Sequence, residues 1–277
     1  MDANASSGLA KTKITSADNA VLRRSAVTWF VVAALGQLAF VWMILAHYGA
    51  KTLAGNFVGW NDKPLIKGYV SGDTIGNITF AVHVLLAALV TTGGLLQLAP
   101  AIRTHAPMLH RWGGRLFFSI AIVMALSGLW LTWVRYTYLS LVSGLAVSLD
   151  GALILSFTTI AWRCAVKRDF AAHRRWALRA FMVVNGVWFL RIGMMAWVLL
   201  SGGGLGMNDS LSGPADIVIQ FGAYLVPLMV LEAYLRAPAS RMRHAKRMIA
   251  VLIFLAATIT VLGVCGAVAF MWWPYMR

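Results

Sequence analysis

Seven apolar runs, each long enough to cross a bilayer as a helix, constrain this chain more than any other feature. A spanning helix needs about 20 consecutive apolar residues. The runs fall near 26–46, 78–99, 115–135, 141–162, 177–200, 215–235 and 248–272. The third and fourth are separated by a short turn near residues 136–140, and together they would be twice a bilayer. No segment alternates with period two, as the strands of a transmembrane barrel would. The fold class is therefore all-α, a polytopic membrane helix bundle of about seven transmembrane helices. Residues 1–25 read as a polar tail, and residues 26–277 as a single transmembrane helical domain. The first apolar run is too long for a cleavable signal and follows a long polar stretch, so it reads as a retained span.

Charge gives the orientation. Only 12 % of the residues are charged, against roughly 25 % in soluble domains. The formal net charge of +15 sits between the apolar runs, in the manner of positive-inside loops rather than a nucleic-acid face. Lys and Arg gather in the N-terminal tail and in the stretches 100–114, 163–176 and 236–247. All four lie on one side, which is the cytoplasm by the positive-inside rule. The N-terminus is then inside and the C-terminus outside, with Trp272, Trp273 and Tyr275 in an outer aromatic belt. The expected location is the inner membrane of a bacterium. Of the outer segments, 47–77 is long enough for a lid or small cap, and the Gly-rich 201–214 reads as flexible. Cys164 and Cys265 fall at different membrane levels, which argues against a disulfide between them. No CxxCH motif for a covalently attached haem is present.

One internal echo stands out. His110-Arg111-Trp112-Gly113-Gly114-Arg115-Leu116-Phe117 opens the third span, and His173-Arg174-Arg175-Trp176-Ala177-Leu178-Arg179-Ala180-Phe181 opens the fifth. Both contain W-x-x-R-x-F with His-Arg just upstream. A weaker copy at Arg243-His244-Ala245-Lys246-Arg247 opens the seventh, so spans 2–3, 4–5 and 6–7 read as three related hairpins. Helix N-termini present unpaired N–H groups and the positive end of the dipole, and arginine there makes an anion site. Arg103, Arg163, Lys167 and Arg168 read as ordinary orienting charge. His110, Arg115, His173 and Arg179 read as functional, because histidine adds little to orientation and the two copies share their spacing.

These motifs resemble a family. LHRWGGRLF, followed about sixty residues later by AHRRWALRAF, is similar to the bacterial membrane family named DUF2306. The resemblance also takes in His83, Gln97, Arg191 and Glu232, over roughly residues 80–235. It implies a multi-span helical membrane protein and no established reaction.

Ionisable residues at membrane depth are costly and frequently functional. His83 lies in the second span, Asp150 near the middle of the fourth and Arg191 near the middle of the fifth. Neighbouring spans pack together, so an Asp150–Arg191 ion pair is expected. Gln37, Asn185 and Gln220 are available for hydrogen bonds between helices. Trp130, Trp133, Trp188 and Trp197 read as core or lipid contacts ahead of a cofactor pocket.

Two functions follow. The leading expectation is a b-type haem protein that moves electrons between a quinol or external reductant and a redox partner. His83, His110 and His173 would supply iron ligands, and Arg115, Arg179 and Arg191 would hold the propionates or a quinone. The alternative is a transporter or lipid/anion-handling protein, with the cytoplasmic His/Arg clusters as its anion site and Asp150/Arg191 as its gate. The absence of a clearly broken span counts against a carrier. A hydrolase ranks last, since HExxH, GxSxG and Walker motifs are missing.

Overall fold

The structure, a computed structural model, describes residues 3–63, 66–237 and 243–276, the side chains of 3–17 and 243 excepted. Among the described residues there are helices and loops and no strand. The long helices are α1 (Ala3–Met43), α2 (Thr74–Leu98), α3 (Pro107–Trp133), α4 (Leu141–Val166), α5 (Phe170–Val184), α6 (Gly186–Ser201), α7 (Pro214–Arg236) and α8 (Arg243–Gly266). Among the described residues six helical stretches are long and apolar enough to cross a bilayer, and α5 with α6 brings the number to seven if the bent pair is one span. The expected all-α, polytopic architecture is present. α1 runs on through most of the polar tail.

The outer surface is as apolar as a bilayer requires. Leu35, Val251 and Met229 are each more than 60 % exposed, although they sit in mid-helix. In water such a surface would aggregate, whereas in lipid it is the ordinary solvent-facing side. With no hydrophobic drive between helices in lipid, close packing at small residues holds the bundle. A Cβ on Gly263 of α8 would lie 2.3 Å from the Ile192 carbonyl oxygen of α6, so the two backbones touch there. α8 packs along α1 and α6, while α2–α3 and α4–α5 form close hairpins. α7 and α8 touch only sparsely, so the third expected hairpin is not a packed pair.

The fifth span is not continuous. α5 and α6 meet at 53° across Asn185. The cause is local. Asn185 Nδ2 donates to the Phe181 carbonyl at 2.8 Å, competing for an acceptor of the helix ladder. Gly186 follows, and a Cβ there would stand 2.5 Å from Asp150 Oδ2. The single span 177–200 and the absence of a broken span, both expected from sequence, are thus corrected.

The end carrying the His-Arg motifs is the basic end. The weak third copy is consumed there by α1, with Arg247 Nε donating to Asp18 Oδ1 at 2.9 Å and Lys246 Nζ to Asn19 Oδ1 at 3.0 Å. At the opposite end residues 47–63 and 66–77 form a cap. Arg135 pins it by donating to Asp73 Oδ2, Asn77 Oδ1 and the Gly68 carbonyl at 2.9, 2.7 and 3.2 Å. The 201–214 loop, expected to be flexible, is knitted by Asp216 Oδ2, which accepts from the N–H groups of Asn208 and Gly213.

Gly263→Ala should therefore push α8 from α6 and destabilise the protein by about 1–3 kcal/mol, the usual cost of overpacking. Gly93 has open space where a Cβ would go, so Gly93→Ala should leave the melting midpoint unchanged or slightly raised. Thermal melts of both variants in detergent check the contrast.

Candidate functional site

The two strong motifs fold alike. Pro107 opens α3, where its missing N–H costs nothing. Asp169 caps α5 by accepting from the Ala172 N–H at 2.9 Å. His110 and His173 each fall three residues after the first helical residue. In both copies the Trp and Arg of W-x-x-R stack, one turn apart. Arg115 lies 4.7 Å from the Trp112 ring centroid, and Arg179 lies 4.5 Å from that of Trp176. The phenylalanine two residues on is buried in both, Phe117 at 5 % and Phe181 at 2 % exposure. The two phenyl rings meet Gly94 of α2, each 3.0 Å from where its Cβ would be. The echo is thus a repeated packing device that brings two helix starts onto one helix.

The imidazoles are held in opposite senses. His173 Nδ1 lies 2.9 Å from the Ala161 carbonyl. A carbonyl only accepts, so the neutral ring carries its proton on Nδ1 and a lone pair on Nε2. Gln97, oriented so that all its neighbours are satisfied, donates to the His110 carbonyl at 3.0 Å and to His110 Nδ1 at 2.8 Å, and accepts from the Gly114 N–H at 3.2 Å. His110 Nδ1 is then an acceptor, and its Nε2 carries the proton. Gly113 leaves room for this amide, because a Cβ there would sit 2.5 Å from it.

Both histidines line one cavity of about 1460 Å³. Five arginines line it with them: Arg103, Arg111, Arg115, Arg168 and Arg174. Among the described residues no carboxylate lines it. The remaining wall is largely apolar and reaches along α7 from Val218 to Tyr234, about 24 Å at the helical rise. Val218 and Val226 are 71 % and 51 % exposed, so the cavity opens sideways onto the lipid-facing surface. Phe181 and Met182 line it from α5, and Phe189 and Ile192 from α6, so the wall includes both halves of the bent span. Pro227, inside α7, removes one ladder hydrogen bond within the same wall.

The structure gathers only part of the expected set. Arg179 turns from the cavity into a bidentate pair with Glu232, Nε to Oε1 at 2.5 Å and Nη2 to Oε2 at 3.0 Å. Glu232 meets Arg236 only at 3.8 Å. His83 lies elsewhere, its Nδ1 2.8 Å from Ser127 Oγ, and does not line the cavity. Asp150 and Arg191 do not form the expected ion pair. Asp150 faces Gly186, and its buried Oδ1 has no partner. Arg191 comes five residues later, about 140° further round the helix at 100° per residue. It donates instead to the Val187 carbonyl at 3.1 Å and lies over the Phe40 ring at 5.1 Å. Gln37 is buried with neither amide atom bonded, and Trp188 is core. Among the described residues no group of three or more His, Cys, Asp or Glu could hold a metal ion.

Arg103 and Arg168, read from the sequence as orienting charge, line the cavity beside Arg111 and Arg174 of the two motifs. Arg168 carried one usable signal, since it must close the turn between α4 and α5. It does so with φ +60°, a left-handed conformation that favours glycine.

Fold and site together define a polytopic helical membrane protein with a basic-mouthed intramembrane cavity. Residues 80–205 match the family described as predicted membrane protein (DUF2306), the family that the motifs resemble. That stretch holds His83, Gln97, both His-Arg motifs and Arg191, while Glu232 lies beyond it. No curated protein and no solved structure matches the chain.

Arg179→Ala and Glu232→Ala should each destabilise the fold by about 1–2 kcal/mol, the cost of a charge-assisted hydrogen bond that is partly exposed. The double variant should cost clearly less than the sum of the two. Melting midpoints of the three variants in detergent measure the coupling.

Proposed function

We propose that this chain is a lipid/anion-handling membrane protein that takes a long anionic amphiphile into its intramembrane cavity. The observation that carries this reading is the composition of the cavity wall: five arginines and two histidines, no acid among the described residues, and an apolar groove leading away from them. Guanidinium groups and His110 Nε2–H are donors for a phosphate or carboxylate head, and His173 Nε2 accepts from a protonated oxygen of the same head. The groove takes the tail, and the lateral opening lets it arrive from the bilayer. Bent or broken spans beside a binding site are a feature of carriers, and the hinge at Asn185 supports movement of the bound molecule. We place the basic end at the cytoplasmic face of a bacterial inner membrane, following its arginines.

The Arg168 side chain tests this without threatening the fold, because glycine suits its backbone. Arg168→Gly should melt no lower than the parent. It should bind phosphatidylglycerol about five-fold more weakly, one arginine near a headgroup being worth about 1 kcal/mol. Native mass spectrometry from nanodiscs of mixed phosphatidylglycerol and phosphatidylcholine, with oleate as a second arm, separates phospholipid from free fatty acid. Equal retention of the neutral and both anionic lipids contradicts the proposal.

A haem reading keeps one observation in its favour. The proton fixed on His173 Nδ1 leaves Nε2 as a lone pair on a residue that lines the cavity, the tautomer seen in histidines that bind metal through Nε2. His110 Nε2, holding its proton, is not such a ligand, and His83 is outside the cavity. A reduced-minus-oxidised absorption spectrum of the purified protein, with haem supplied during expression, tests it. A Soret band lost in His173→Ala supports haem, and no band in the parent rules it out.

A further inference from the structure

One acid at membrane depth is left without a partner, and it sits at the bend. Asp150 lies in α4, about 13 Å from the start of the helix at the helical rise. It is only 8 % exposed. Its Oδ1 is buried without a hydrogen-bond partner, and among the described residues the carboxyl enters no ion pair. The other oxygen, Oδ2, lies against Gly186, 2.5 Å from where a Cβ would stand. Gly186 is the first residue of α6, so the carboxyl touches the start of the second half of the bent span.

None of the helices packed on α4 brings a charge to balance an ionised Asp150. α6 presents the Gly186 backbone, and its cation, Arg191, bonds the Val187 carbonyl and covers the Phe40 ring instead. α7 presents Tyr224, 2 % exposed, whose hydroxyl donates to the Ala146 carbonyl at 3.2 Å, one turn before Asp150. α3 meets the neighbouring turns through Leu129 at Gly151 and Trp133 at Gly144. α5 lays Trp176 on Phe157 and His173 on the Ala161 carbonyl, two and three turns further along α4. An isolated carboxylate in a dry interior is too costly to persist, so in this packing the carboxyl is neutral and carries a proton. An ionised Asp150 would need donors that this packing does not supply, so ionisation and the present contact with Gly186 exclude each other. The start of α6, with its positive dipole end, favours the ion once water is admitted.

We propose that Asp150 is a proton-binding site that sets the bend: it holds one proton while packed on Gly186, and releasing that proton to entering water moves α6 off α4 and changes the α5–α6 angle. Phe181 and Met182 line the large cavity from α5, and Phe189 and Ile192 from α6, so a change of angle reshapes that wall. Resting on the reading of that cavity as an amphiphile site, proton and amphiphile are linked. The packed form binds both, and each raises the affinity for the other.

The test uses the full chain in nanodiscs of phosphatidylcholine alone, with Asp150→Asn as a neutral carboxyl of nearly the same shape. Infrared titration of the parent should show the C=O stretch of a protonated carboxylic acid that fades as pH rises and is missing from Asp150→Asn. Spin labels at the exposed positions 175 and 200, with Cys164 and Cys265 replaced by serine, report the angle by electron–electron double resonance. At low pH the two proteins should give the same distance, and at high pH a second population should appear in the parent alone. The histidines of the basic mouth titrate in both proteins, so a change shared by both is not due to Asp150. In the parent by itself, the infrared band and the second population must share one midpoint, which keeps the test decisive if the variant folds poorly. No band that Asp150→Asn removes, a distance unmoved by pH, a shift that persists in Asp150→Asn, or two different midpoints overturns the proposal. Phosphatidylglycerol, added last, should be held equally by both proteins at low pH and at least three-fold more tightly by Asp150→Asn at high pH. Equal retention at high pH overturns the link. Phosphatidylglycerol held by neither protein, with band and distances as expected, counts against the amphiphile reading and leaves the proton site standing.

Discussion

Gly94 is the contact on which the rest of the site depends. With no side chain there, the rings of Phe117 and Phe181 close onto α2 from two different hairpins. Each phenylalanine is the last residue of a W-x-x-R-x-F motif, so its burial fixes the height and rotation of the helix start below it. The Trp–Arg stacks stay outside the buried rings, and the two histidines fall at matching positions near one cavity. In lipid, where apolar contact alone does not drive helices together, such close approaches at small residues carry the architecture. A bulky residue at this point would part the hairpins and split the basic mouth.

The hydrocarbon also dictates where polar chemistry sits. Water is absent, so charges collect at the two ends, and those left at depth need a reason. Asp150 is one of them. It lies against the backbone at the break between α5 and α6, where only glycine fits. The bend turns α6 so that Phe189 and Ile192 complete the wall begun by Phe181 and Met182. Arg191, on another face of α6, lies instead over the Phe40 ring of α1. A single bent span thus contributes to two chemically distinct regions.

The fold was legible from the apolar runs because a bilayer demands helices of a set length, and this demand is written in composition alone. The shared mouth was legible for His110 and His173 because their motifs repeat at the same distance from a helix start. What sequence could not supply were relations set by rotation about helix axes. Arg179 and Arg115 are equivalent in the motif, yet Arg179 meets Glu232 from α7 while Arg115 lines the cavity. Asp150 and Arg191 are at matching depth in neighbouring spans, but the break at Asn185 and five residues of helix send them to different faces. Arg103 and Arg168 looked like orienting charge, because the positive-inside pattern and an anion site use the same residue type at the same place.

The convergence of the two motifs is the claim to test most directly. Single cysteines at positions 110, 173 and 62, in a background where Cys164 and Cys265 are serine, can be probed with a membrane-impermeant thiol reagent in sealed vesicles of known orientation. Positions 110 and 173 should label from one side and 62 from the other, and added phosphatidylglycerol should protect 110 and 173 together. Labelling of 110 and 173 from opposite sides, or protection of one without the other, contradicts a shared mouth.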